Sequence, residues 1–263
     1  MYCSDYHTHS QLSPDSTAPL EQMARAAAEA GLAELCVTDH CDLLSLYGEP
    51  VDRYDWPPAL AQYQEQAARF AGTVTLKLGL ELGMAHLNPE ASQVILDRPE
   101  LDFVLGSVHN LCPEKGGTDF YYVPYPDSQA CYAALDDYFT SMAALAATPY
   151  YDVLAHIIYP LRYMEVPVSL DRYSARIRAI LRTAVENGKG MELNTWRGRT
   201  IEAWKPVLAL YRECGGEIVT IGSDAHVPEG VGKGVREIQG LLADCGFRYV
   251  CTYDRRRPVF HKL

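Results

Sequence analysis

Seven apolar runs of strand length alternate with longer helical patterns along these 263 residues, which predicts an α/β fold of repeated βα units on a parallel sheet. Two further observations support that class. Glycines stand just beyond the helical segments, where left-handed C-caps belong. Residues able to bind metal gather at the C-terminal ends of the strand segments. The length suits one closed α/β barrel as well as two smaller domains, and no domain boundary shows itself.

The predicted strands, in order, are 2–8, 34–38 (ELCVT), 74–82 (VTLKLGLEL), 102–108 (DFVLGSV), 152–156 (DVLAH), 190–194 (GMELN) and 217–223 (EIVTIGS). The predicted helices are 19–30 before Gly31, 58–71 before Gly72, 128–147 before Pro149, 169–187 before Gly188, 200–214 before Gly215, and 231–244 before Gly246. Ser128 and Ser169 sit where N-caps belong. Two long irregular stretches remain, 41–57 and 110–127, and loops of that length in a compact fold are often lids or binding loops.

Composition narrows the function classes. With 48% hydrophobic and 22% charged residues the chain is neither disordered nor fibrous, and no apolar run approaches membrane-spanning length. Lys and Arg number 23 against 34 Asp and Glu, a balance of −11 that disfavours a broad nucleic-acid-binding face but not a small anionic substrate beside bound cations. The N-terminus has no basic and apolar leader, so the cytoplasm is expected. The eight cysteines form no CxxC pair and read as buried thiols, Cys41 and Cys112 included, rather than metal ligands. The RRRP run at 255–258 reads as a solvated tail element.

Side chains at i and i+2 of a strand share a face, so His7 and His9 of SDYHTHS aim at one point. Asp39 and His40 (TDH) follow the second strand, Glu81 (GLELG) lies near the end of the third, His109 (GSVHN) follows the fourth, and His156 ends the fifth. Glu192 and Asn194 end the sixth, and Asp224 and His226 (GSDAH) follow the seventh. In closed α/β barrels that end of the strands carries the active site. Six of the eight histidines lie there, leaving His86 and His261 as ordinary structural or surface residues. So many imidazoles and acids at one place would compete for hydrogen bonds unless cations were bound.

The nine candidate ligands are His7, His9, Asp15, His40, Glu81, His109, His156, Asp224 and His226, enough for two or three divalent ions with one carboxylate bridging. Mixed nitrogen and oxygen donors suit Zn, Mn, Fe or Co. Ions held close together can share a hydroxide and clamp the attacking and leaving oxygens of a displacement at phosphorus, which predicts phosphoester hydrolysis.

DYHTHS with Asp15, TDH, GLELG, GSVHN, DVLAHIIYP, ELNT and GSDAH, in that order and spacing, resemble the polymerase and histidinol phosphatase (PHP) superfamily, and in particular its histidinol-phosphatase branch. The resemblance implies a distorted (β/α)7 TIM-like barrel, one domain over 1–263, with a trinuclear centre. It implies that His7, His9, Glu81 and Asp224 hold one ion, that Glu81 bridges to a second held by His109 and His156, and that Asp15, His40 and His226 hold a third. Asp5 and Asp39 are then acids that orient neighbouring imidazoles.

The branch also implies phosphate-gripping arginines at Arg162 and Arg197, because a guanidinium fork binds phosphate bidentately. The expected catalytic residues are therefore Asp15, His40, Glu81, Arg162 and Arg197. Arg162, Arg197, Asn194 and His40 are the expected substrate contacts. Asn194 either positions substrate or supports the ligands, Glu192 is either functional or structural, and the leaving alkoxide takes its proton from Asp15 or a bound water. The expected reaction is hydrolysis of L-histidinol phosphate, part of histidine biosynthesis, through a metal-bridging hydroxide.

Three other readings are weaker. A PHP phosphodiesterase or nuclease would need a basic track with exposed aromatics. An amidohydrolase that bridges its metals with a modified lysine is disfavoured because Lys77 lies four residues from Glu81, roughly 13 Å along a strand. A non-catalytic metal-binding protein is disfavoured because none of the nine ligand positions is lost.

Overall fold

The structure, a computed structural model, describes residues 2–263. In chain order the elements are β1 (Ser4–Thr8), α1 (Leu20–Glu29), β2 (Glu34–Val37), β3 (His40–Asp42), α2 (Trp56–Arg69), β4 (Thr75–Gly83), α3 (Pro89–Leu96), β5 (Phe103–Ser107), α4 (Ser128–Ala146), β6 (Val153–Leu154), α5 (Ser174–Glu186), β7 (Gly190–Asn194), α6 (Lys205–Glu213), β8 (Val219–Gly222), α7 (Val235–Asp244), β9 (Tyr249–Asp254) and β10 (Arg257–Lys262). The sheet is parallel in the order β1-β2-β4-β5-β6-β7-β8, with β3 also pairing with β4. All seven predicted strands are present, and β3 continues the second after a break at Thr38 and Asp39.

The sheet curls into a distorted barrel whose last strand returns to its first. The Asp224 amide donates to the His7 carbonyl at 2.8 Å and the His9 amide to the Ala225 carbonyl at 2.9 Å, so closure is made by residues of the predicted site. Pairing of β1 with β2 slips between Asp5 and Thr8. Such an irregularity re-aims side chains; here Tyr6 fills the barrel interior while the next residue, His7, reaches Glu81 and Glu192.

Two apolar layers hold the fold. Tyr6, Cys36, Phe103, Leu105, Val153, Ala155 and Tyr253 pack inside the barrel, and a larger layer, including Met23, Leu80, Phe139, Leu181 and Ile238, seals the helices against the strands. Residue alternation separates the layers: Phe103 and Leu105 of β5 point in and Val104 between them points out.

The structure differs from the sequence expectations in several places. The short helix α3 was not expected; it starts at Pro89, and Asn88 accepts from the Ala91 amide at 3.0 Å. The cap of α4 is Asp127, whose carboxylate accepts from the Ala130 amide, rather than Ser128. Ser169 begins a single turn ahead of α5, which itself starts at Ser174.

The largest departure is at the C-terminus. The RRRP run is not a solvated tail: Arg255 and Arg256 form the left-handed turn of an antiparallel hairpin, β9-β10. The Arg256 guanidinium grips Asp152 through Nε (2.9 Å) and Nη2 (3.0 Å), and the turn amides donate to Asp102. Tyr253 of the hairpin meets Tyr6 and Phe103, closing the end of the barrel opposite the predicted site. No helix among the described residues is long and apolar enough to cross a membrane.

Gly222, the last residue of β8, sets how closely β8 approaches the centre. A Cβ there would lie 2.2 Å from the His7 Cβ and 2.4 Å from Glu192 Oε1. Gly222→Ala is therefore expected to cost about 1–3 kcal/mol, measured as a lower denaturant midpoint at unchanged slope.

A candidate multinuclear metal centre

The strand ends bring all nine predicted ligands around one carboxylate. Glu81, fully buried near the end of β4, faces five imidazoles: Oε2 lies 3.1 Å from His7 Nε2, 3.6 Å from His9 Nε2 and 3.0 Å from His40 Nδ1, and Oε1 lies 3.1 Å from His109 Nε2 and 2.9 Å from His156 Nε2. Asp224 Oδ1 faces His7, His9 and His226 at 3.6, 3.4 and 3.7 Å. Asp15, on the loop after β1, is 54% exposed and closes the group from the solvent side, 2.9 Å from His226 and 3.6 Å from His40.

The donors fit metal ions better than they fit one another. His9 Nε2, His40 Nδ1 and His226 Nε2 are buried and make no hydrogen bond among the described residues, although carboxylate oxygens stand 2.9–3.6 Å away. Those approaches are too long or out of line for hydrogen bonds. Donors about 2.0–2.2 Å from a common ion are separated by such distances. The Nε2 atoms of His109 and His156 lie 3.3 Å apart, as two ligands of one ion would.

Four sets of donors, each within 4.8 Å of one another, are suited to hold an ion: His7-His9-Asp224, His7-Glu81-His156, His9-His40-His226 and His40-Asp42-His109. The first two overlap the ligand sets expected from sequence. The third brings in His9, and the fourth brings in Asp42, which sequence reasoning missed.

Electrostatics favour the same occupant. Burial would push Glu81 up, yet His7, His109 and His40 hold it well below the usual carboxylate range. Asp224, also buried, is held well below its ordinary value by His7 and Arg162. Burial, and then His226 and His40, drive His9 well below the usual imidazole range. His7 goes the other way: burial opposes protonation, but Glu192 and Glu81 raise it well above. The same acids and imidazoles thus drive two neighbouring rings in opposite directions, and divalent cations bound among them would neutralise the acids without protonating the rings.

The residues that aim the imidazoles differ in part from those expected. Glu192 Oε1 lies 2.6 Å from His7 Nδ1 and its Oε2 accepts from the His156 amide, so Glu192 fixes two ligands. Asp42 Oδ1 lies 2.7 Å from His109 Nδ1. Ser13 contacts His9 Nδ1 at 3.1 Å and donates to Asp39, so Asp39 acts on His9 through a hydroxyl. Asp5 does not orient an imidazole; it accepts from the Ser223 and Gly232 amides at 2.8 Å each, tying β1 to the segment after β8. The i, i+2 relation of His40 and Asp42 was the available signal for Asp42. Gly83 leaves room for it, since a Cβ there would lie 1.7 Å from Asp42 Oδ1.

Above the centre opens a cleft of about 420 Å³, lined by seven of the nine candidate ligands, His7 and His9 lying beneath it, together with Arg162, Arg197, Trp196, Tyr159, Tyr163 and residues of both long loops. Arg162 donates to Asp224 at 2.6 Å, with Tyr159 and Trp196 rings 5.2 and 5.5 Å from its guanidinium. Arg197 follows Trp196 in left-handed backbone, and its buried Nε has no hydrogen-bond partner among the described residues. Asn194 is fully buried beneath the cleft and bonds the Trp196 amide (2.8 Å), Glu192 and Asp224. Of its two expected roles, these contacts match support of the ligands.

A family model of the PHP domain matches residues 5–196, nearly three quarters of the chain. The chain belongs to the PHP domain family. This PHP domain is 31% identical over 254 residues to a "Probable histidinol-phosphatase" of Clostridium acetobutylicum, covering 94% of this chain and 95% of that protein. It is 26% identical over 261 residues to the "Histidinol-phosphatase" of Lactococcus lactis, covering 95% and 94%. In fold it matches the crystal structure of histidinol phosphate phosphatase from Lactococcus lactis complexed with Zn, L-histidinol and phosphate, with a TM-score of 0.83 at 23% identity over 98% of each chain.

If Asp42 holds the His109 ring for its ion, Asp42→Ala is expected to weaken metal binding about 10–100-fold. Competition against a chromogenic chelator measures this, and unchanged affinity would remove Asp42 from the centre.

Proposed function

We propose that this PHP domain is a metal-dependent phosphomonoesterase that hydrolyses L-histidinol phosphate to L-histidinol and phosphate. The observation that carries the reading is the joint presence, over one cleft, of a donor cluster around Glu81 and two arginines, in a chain alignable nearly end to end with histidinol-phosphatases.

His7, His9, Asp15, His40, Glu81, His109, His156, Asp224 and His226 would hold two or three ions. Such ions supply a nucleophile at neutral pH and positive charge beside the phosphoryl oxygens. Arg162 and Arg197 grip those oxygens and stabilise the charge that develops on them. Arg162 is presented by its carboxylate and the two flanking rings, so little reorganisation is needed when phosphate arrives. Arg197 has a buried Nε–H still to satisfy, and a phosphate oxygen is a suitable acceptor. Among the described lining residues Arg162 and Arg197 are the only lysine or arginine side chains, which supports a compact monoester over a polynucleotide.

Phosphate release from L-histidinol phosphate tests the reading. Chelation is expected to abolish it and divalent metal to restore it. Arg197→Ala is expected to lower kcat/KM about 10²–10³-fold. Full activity in the chelated protein would end the metal assignment, and undiminished turnover by Arg197→Ala would end that arginine's role.

A further inference from the structure

We propose that Asp119, with Tyr121 and Tyr122, forms a subsite that selects a positively charged leaving alcohol; this rests on the phosphomonoesterase reading above. The three residues come from the second long loop and line the same cleft as Arg162 and Arg197. The cleft is therefore cationic toward the segments after β6 and β7 and anionic toward the loop after β5. A ligand with phosphate at one end and an ammonium or imidazolium at the other fits that polarity in one orientation.

The loop is built to hold Asp119 in place. Asp119 lies opposite Asn110 in an antiparallel bridge, and the Phe120 amide donates to the His109 carbonyl at 2.8 Å, which sets Asp119 beside a candidate ligand. Asn110 Nδ2 donates to the Ser45 and Gly117 carbonyls at 2.8 Å each, locking this loop to the one before α2. The Tyr121 amide donates to Asp119 Oδ1 at 2.7 Å, and no residue among those described donates to Oδ2. Asp119 is buried, so an entering cation replaces hydration the fold has removed.

The aromatic wall is the second observation. Tyr121 and Tyr122 are 61% and 50% exposed although their rings meet edge to face 4.9 Å apart. Tyr121 packs on Tyr163 at 5.3 Å and Tyr122 on Tyr47 at 6.2 Å, so the exposed faces are held rather than loose. Rings so placed attract cations and stack on a heterocycle.

The test compares kcat/KM for L-histidinol phosphate with that for 3-phenylpropyl phosphate, which has an aromatic ring on a chain of the same length but no positive charge. In Asp119→Asn the ratio of the two is expected to fall about 10–100-fold, chiefly through KM for the cationic substrate. Tyr121→Ala, a change at an exposed side chain, is expected to lower turnover of both substrates through KM, with a smaller change in the ratio. An unchanged ratio in Asp119→Asn, with metal content equal to wild type, overturns the subsite while leaving the phosphatase reading intact. If Asp119→Asn does not fold, wild-type inhibition decides: L-histidinol binding no tighter than neutral 3-phenylpropanol overturns the subsite. A wild-type protein that hydrolyses neither ester overturns both readings.

Discussion

The fold is organised around the Glu81 carboxylate, taken wholly out of water and set among imidazoles. An isolated buried carboxylate is costly, and hydrogen bonds from imidazoles repay that cost only if protons are available to all of them. The surrounding structure meets the constraint by converging strand ends. β4 is long and central, so it carries Glu81 into the middle while β1, β5 and β6 bring His7, His109 and His156 to its two oxygens. Two further acids, Glu192 and Asp42, then fix the outer nitrogens of His7 and His109, and Glu192 also accepts from the His156 backbone amide. The result is a cage of nitrogen and oxygen donors turned inward on one another, with the outer nitrogens of His7, His9 and His109 already bonded.

Strain is concentrated at the rim of that cage. Trp196, Arg197 and Asp224 all adopt left-handed backbone without being glycine, each at a cost of roughly 1–3 kcal/mol. Asn194 and the Ser223 carbonyl hold Trp196 and Arg197 there through their amides. The strain has an evident use: it turns the chain sharply after β7 and β8 so that a ligand and an arginine face the same space.

Much of this was legible in the sequence because parallel βα repeats put functional residues at equivalent positions, and because histidine is rare enough for six at strand ends to stand out. What was not legible has physical reasons. α3 is too short for helical periodicity to declare itself, and β10 is largely exposed and mixes charged with apolar residues, so neither alternation nor apolar length marks the hairpin. Asp5 and Asp39 share a composition cue with Asp42 and Glu192, and only the path of the backbone decides which carboxylate meets an imidazole and which meets amides. The slip in β1 is equally invisible, since it depends on how β2 pairs with it.

The C-terminal hairpin has a consequence for the order of assembly. Residues 249–262 leave the ribosome after every strand whose interior they close, yet Tyr253 is part of that interior and Arg256 pins the start of β6. Without those residues the far end of the barrel has no cover over Tyr6 and Phe103, the rings that Tyr253 meets. The floor beneath the donor cluster is therefore held by a contact long in sequence, between a turn of arginines and two strand-leading aspartates, which the chain can make only once its last strands exist.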